Sequence, residues 1–94
     1  MCGIYKITNL INNKCYIGQS IDIERRWEAH KYRASAEPPR TERIYQAMRK
    51  YGINNFSFTV IEECEPDELN ERELYWINYY DSYNKGYNMT LNAP

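Results

Sequence analysis

The sequence predicts an α+β domain, a small three-stranded and mainly antiparallel sheet flanked by helices in the order β-β-α-α-β-α. Three observations lead there. Two short strand-like segments, GIYKITN (3–9) and KCYIG (14–18), open the chain around a polar Asn12-Asn13 step. From Asp22 the apolar period lengthens to that of a helix, and it holds through two segments. Strict alternation then returns at Phe56–Ile61 before a last helical run.

Each element follows from local chemistry. Leu10–Asn13 reads as a hairpin turn, weaker than Asn-Gly, because Asn tolerates positive φ. With period two, Gly3, Tyr5 and Ile7 share a face, as do Tyr16 and Gly18 on the partner, so Tyr5 and Tyr16 lie on one side if the register agrees. Ile23, Trp27, His30 and Ala34 form the stripe of the first helix, which ends before Pro38-Pro39. The second helix begins near Thr41, buries Ile44, Ala47, Met48 and Tyr51, and stops at Gly52. Phe56, Phe58 and Val60 are the inward positions of the third strand. Pro66 and Asp67 open the last helix, striped by Leu69, Trp76, Ile77 and Tyr80. Asn84-Lys85-Gly86 is expected to turn, and Tyr87–Leu91 to form a short terminal strand or an extended tail.

With 94 residues the chain is expected to be one domain spanning 1–94. Its apolar stretches are only a few residues long, which excludes a membrane-spanning helix. No apolar secretory segment is visible, and Cys2, Cys15 and Cys64 are an odd, scattered set without CxxC spacing. A reducing, cytoplasmic setting is the simplest expectation.

The net charge of -1 conceals an asymmetry. Residues 1–61 hold ten Lys and Arg against five Asp and Glu, whereas residues 62–94 hold two against eight. The basic part is densest from Arg25 to Lys50, and such a surface suits a polyanion as well as an ordinary solvated helix pair.

Three groups of residues are out of place for a purely structural role. Glu73 falls about 40° from Leu69 and within about 60° of Trp76, Ile77 and Tyr80 around the helix, a carboxylate inside an apolar stripe. It reads either as a functional carboxylate or as a boundary residue paired with Arg72. Arg26 and His30, four apart, converge on one spot beside Trp27. They suit a phosphate, while a packed histidine is the plainer alternative. Tyr5 and Tyr16 on paired strands are the third group, with packing again a sufficient reason for each alone.

Taken together these residues resemble the GIY-YIG nuclease domain family. Gly3-Ile4-Tyr5 and, after ten intervening residues, Tyr16-Ile17-Gly18 are its two name-giving triplets. Ser20–His30 is similar to the family's first helix, RKYG at 49–52 with Phe56 to its second helix and third strand, Glu71–Ile77 to its metal-binding helix, and Gly86-Tyr87-Asn88 to its closing motif. The resemblance covers essentially the whole chain and is nearest to phage and intron homing nucleases. It implies metal-dependent hydrolysis of DNA phosphodiesters, with Mg²⁺ or Mn²⁺ held by Glu73. The implied catalytic set is Tyr5, Tyr16, Arg26, His30, Glu73 and Asn88, with Arg26 on the phosphate. Tyr5 is the expected base, His30 the alternative, and Tyr16 would then orient the water or the phosphate.

Lys14, Ser20, Arg25, Lys31, Arg40, Arg43, Arg49 and Lys50 are the expected contacts to DNA, presumed double-stranded from the resemblance. Where many phage-type members place a histidine ahead of the second helix, this chain has Arg43, which holds a phosphate but does not exchange a proton at neutral pH. Homing enzymes also join a separate DNA-binding domain to this unit, so weak intrinsic sequence specificity and a fused or separate DNA-binding partner are expected, with no membrane. A non-cleaving nucleic-acid-binding module, or a protein-interaction module using the acidic last helix, is the alternative. The first of these would be favoured by loss of Glu73 or Arg26, and both are present.

Overall fold

The computed structural model describes residues 1–90. Its elements are β1 (Gly3–Asn9), β2 (Cys15–Ser20), α1 (Ile23–Ala34), α2 (Arg43–Tyr51), β3 (Phe56–Glu63), α3 (Leu69–Tyr80) and a short α4 (Ser82–Lys85). The sheet has the order β2-β1-β3, and both pairings are antiparallel. Among the described residues no helix is long and apolar enough to cross a membrane.

The turn between β1 and β2 is built by asparagines. Asn9 Oδ1 accepts from Ile11 N at 2.9 Å, Asn12 Oδ1 accepts from Lys14 N at 3.0 Å, and Asn13 takes the positive φ of 64°. Asp22 caps α1 by accepting from Arg25 N, and Gly52, at φ 88°, ends α2 as its sequence position predicts. Pro66–Glu68 forms a single 3₁₀ turn that leads into α3.

The sheet separates two apolar clusters. Tyr5, Ile7, Ile23, Ile44, Ala47 and Met48 pack beneath α1 and α2, while Ile4, Ile17, Leu69 and Ile77 pack beneath α3 on the other face. The register pairs Tyr5 with Gly18 and Ile7 with Tyr16, so both motif tyrosines do share a face, with ring centroids 6.5 Å apart. It also gives Gly18 a reason. A methyl group at that position would overlap Cζ and Oη of Tyr5, whose ring lies across the glycine. Gly18→Ala is therefore expected to cost about 1–3 kcal/mol of stability through overpacking. An unchanged denaturation midpoint would show that the Tyr5 ring is free to move aside.

Of the two expectations about the C-terminal part, the turn over Asn84-Lys85-Gly86 needs correction, and for Tyr87–Thr90 the extended tail is the alternative that holds. Asn84 and Lys85 belong to α4, because Asp81 adopts a left-handed φ of 52° that ends α3 and lets a new turn start at once. No strand forms over Tyr87–Thr90, and Leu91 lies outside the described residues. That segment follows the free edge of β2 with too few backbone bonds for a ladder. Tyr87 N donates to Cys15 O at 2.9 Å, and the Tyr87 side chain turns inward, where its hydroxyl accepts from Asn9 and Asn12.

Candidate active site

The site forms where the edge of β2 meets α1 and α3. Glu73 sits one turn from Leu69 and Ile77 on the buried face of α3 and is only 5% exposed. Arg72 does not pair with it. The Arg72 guanidinium donates to Glu62 at 2.7 Å, and Trp76 Nε1 donates to the same Glu62 oxygen at 2.8 Å. Burial pushes the Glu73 carboxyl up to about 7, against the opposing effects of a hydrogen bond from Gln19 and the charge of Arg26. A carboxylate so placed is stabilised by any cation entering from the hollow it borders.

Arg26 projects from α1 toward the same place and is exposed. Among the described residues it takes part in no ion pair within 4.0 Å. Two hollows lie side by side here, of about 250 Å³ and about 230 Å³. Tyr16, Arg26 and Glu73 line both and so form the ridge between them. Opposite charges thus face a shared space without closing on each other, a geometry able to take an anion on the arginine and a cation on the carboxylate at once.

His30 is 2% exposed and lies between two tyrosines. Its Nε2 is 2.6 Å from Tyr5 Oη, and its Nδ1 is 2.8 Å from Tyr45 Oη. Trp27 packs edge-on to Tyr5 and Phe58, on the same Tyr5 ring that His30 meets. Burial and, secondarily, Arg26 and Arg33 push His30 down to about 4, so the ring is neutral at pH 7. Burial likewise raises Tyr5, and it pushes Tyr16 up to about 12, with the Glu73 charge adding to the effect. Arg26 acts in the opposite sense on both phenols.

Asn88 spends its amide on the backbone of β2. Its Oδ1 accepts from Ile17 N and its Nδ2 donates to Ile17 O, both at 2.9 Å. It thereby completes the free edge of the strand that carries Tyr16 and acts as a support for that strand. Ser20 is buried, its Oγ accepting from Asp22 N at the entry to α1, and it borders the smaller hollow.

The cationic side chains divide by location. Lys14, Arg40, Arg43, Arg49 and Lys50 line one groove of about 620 Å³, which meets the larger hollow at Tyr87, beside the bond from Arg43 to Asn88 O. Arg25 and Lys31 stand apart from it on α1, where Lys31 pairs with Glu28 at 3.4 Å. The groove arginines are partly engaged already. Arg40 pairs with Glu42, Arg43 donates to Asn88 O and Tyr83 O, and Arg49 donates to Arg40 O.

Tyr45 and Arg33 are site residues that sequence reasoning did not single out. Tyr45 adjoins the apolar stripe of α2 as one more aromatic, and Arg33 reads as one more cation in a basic run. The one available signal was helical spacing, which puts Arg33 one turn from His30 at i, i+3.

The sequence pattern of the GIY-YIG catalytic domain family matches residues 1–88. The chain is 36% identical over 89 residues to intron-associated endonuclease 1 of Enterobacteria phage T4, covering 93% of this chain and 36% of that protein. It spans about a third of the length of the curated relatives it matches. Among solved structures, a mutant of the catalytic domain of intron endonuclease I-TevI superposes with a TM-score of 0.88 at 34% identity, covering 99% of this chain and 96% of that one. A second structure, of the catalytic domain of homing endonuclease I-TevI, gives 0.85 at 33% identity, covering 96% of this chain and 99% of that one.

Proposed function

This chain belongs to the GIY-YIG catalytic domain family and is an endonuclease catalytic domain, and we propose that it hydrolyses DNA phosphodiesters at the ridge formed by Tyr16, Arg26 and Glu73. The observation that carries this reading is the facing of a buried carboxylate and a guanidinium on a shared hollow, neither of them in an ion pair among the described residues.

The donor set suits a hard divalent cation. Among the described residues no three His, Cys, Asp or Glu side chains group into a metal cage, so Glu73 would be one ligand among waters and phosphate oxygens, as Mg²⁺ commonly prefers. Bound there, Mg²⁺ or Mn²⁺ would offset the charge developing on the phosphoryl and leaving oxygens. Arg26 holds two non-bridging oxygens of the scissile phosphate and neutralises the charge that grows as water attacks phosphorus. Tyr16, on the ridge, orients the phosphate or the water. Tyr5, once ionised to the phenolate that the Arg26 charge favours and that a His30 N–H supports, takes the water proton. His30 itself is bonded at both ring nitrogens to tyrosine hydroxyls and exchanges protons through them. Asn88 keeps the strand beneath Tyr16 in place. Supercoiled plasmid incubated with Mg²⁺ should be nicked, and EDTA should abolish the nicking. Intact plasmid in Mg²⁺ and in Mn²⁺, at enzyme excess, would sink the proposal.

The basic groove offers a track for the flanking phosphates of duplex DNA. Its arginines already share their protons with protein acceptors, and α3 with its approach is acidic, so about three or four phosphates are neutralised at once. Affinity no tighter than roughly micromolar at physiological salt follows, with a log–log salt slope near about -3 and little sequence preference. Selectivity would then come from an attached or separate DNA-binding unit. Fluorescence anisotropy with a labelled duplex and Ca²⁺ in place of Mg²⁺ reads this directly. Nanomolar, sequence-selective binding by the monomer would contradict it.

A further inference from the structure

We propose that Tyr45 and Arg33 are positioning residues that set the tautomer of His30, so that its Nε2 proton points at the hydroxyl oxygen of Tyr5. The inference deepens the hydrolysis reading above, and it rests on that reading only for its kinetic consequence.

Three buried groups lie in a row. Tyr5, His30 and Tyr45 are 1%, 2% and 3% exposed. The links are 2.6 Å from Tyr5 Oη to Nε2 and 2.8 Å from Nδ1 to Tyr45 Oη. At the far end Arg33 Nη1 lies 3.4 Å from Tyr45 Oη. A neutral imidazole carries one N–H, so one tyrosine must donate to the ring while the other accepts from it. The row therefore has two polarities. Either Tyr5 O–H donates to Nε2 and Nδ1–H donates to Tyr45, or Tyr45 O–H donates to Nδ1 and Nε2–H donates to Tyr5.

Both tyrosines line a hollow, so access to water does not choose between the polarities. Charge does. A guanidinium can only donate, and Arg33 therefore occupies a lone pair of the Tyr45 oxygen and makes its O–H the stronger donor. In the first polarity that oxygen would accept twice, from Nδ1–H and from a cation, and the donor strength the cation lends its O–H would go unused within the row. On the Tyr5 side, the lowering effect of Arg26 on the phenol is opposed by Tyr16, Tyr45 and Glu73. On the Tyr45 side the nearby Glu42 carboxylate is taken by Arg40. The second polarity follows. Tyr5 then accepts from Nε2–H, and its own proton is the one turned to the hollow, through which it leaves; the phenolate that remains as the base keeps the Nε2–H bond.

His30 is the sole histidine of the 94 residues, so long-range ¹H–¹⁵N spectra of the metal-free protein report on this ring without ambiguity. At pH 7 the wild type should show a protonated Nε2 and a bare Nδ1. Arg33→Ala and Tyr45→Phe should both move the population toward Nδ1–H, and Arg33→Lys, which keeps a cationic donor, should restore most of the original preference. In cleavage assays Arg33→Ala should lower kcat by about tenfold with KM within about twofold, the scale expected for a group acting through its neighbour. A wild-type Nδ1–H tautomer, or a tautomer unmoved by Arg33→Ala, overturns the inference. The expected spectrum in a protein that nicks no plasmid would remove the hydrolysis reading and leave the positioning role standing.

Discussion

Glu73→Gln is expected to lower Mg²⁺-dependent nicking by about a thousandfold or more, since it removes the one protein carboxylate on the ridge and with it the proposed hold on the cation. The same substitution should leave the fold intact and raise its stability at alkaline pH. Burial lifts the Glu73 carboxyl from 4.5 to about 7, so between those values the folded chain binds a proton that the unfolded chain has released. Stability therefore falls as pH rises through that window, and the full cost is present above it. Glutamine carries no such proton and should flatten the slope. With an allowance for solvent screening in an open hollow, the variant should exceed wild type by on the order of 1–2 kcal/mol at pH 8 in EDTA. Denaturation midpoints from pH 4.5 to 8, alongside nicking in Mg²⁺, test both halves. Wild-type nicking by Glu73→Gln would remove the metal assignment, and parallel pH profiles for the two proteins would remove the account of its burial.

The difference between Glu73 and Tyr45 shows what the sequence could and could not disclose. Glu73 was legible because helical phase alone puts it among Leu69, Ile77 and Tyr80, and a carboxylate there has a cost that demands a reason. The hairpin was legible for a similar reason, since strand alternation put Tyr5 and Tyr16 on one side as soon as the register paired Tyr5 with Gly18. Tyr45 broke no local rule. It is an aromatic beside an apolar stripe, and its meaning depends on His30, fifteen positions earlier on a different helix. Asn88 depends likewise on a strand edge 71 positions away. The groove of Lys14, Arg40, Arg43, Arg49 and Lys50 falls between these cases: charge density marked its members, but only the fold divides them from Arg25 and Lys31. Local periodicity reveals a residue that violates its own element, whereas a residue that suits its element and serves another becomes visible only in three dimensions.

Arg26→Lys is expected to be nearly as damaging as Arg26→Ala, each lowering kcat by about a hundredfold or more. Arg26 is exposed on α1, pairs with no carboxylate among the described residues, and faces Glu73 across the hollow. It has two separable effects there. Its charge favours the ionised forms of Tyr5 and Tyr16, and any cation at that position would retain this effect. Its planar fork offers two parallel N–H donors to two phosphate oxygens, and an ammonium group on a flexible stem does not reproduce that geometry. The pair of variants separates the two. Arg26→Lys should keep the shape of the wild-type pH–rate profile at a much reduced height, while Arg26→Ala should also move the profile toward higher pH as the phenols lose their cation. KM should change less than kcat in both, because the groove residues rather than Arg26 supply most of the ground-state contact. A lysine variant with close to full activity would show that Arg26 contributes charge alone, and the bidentate hold on the scissile phosphate would have to be given up.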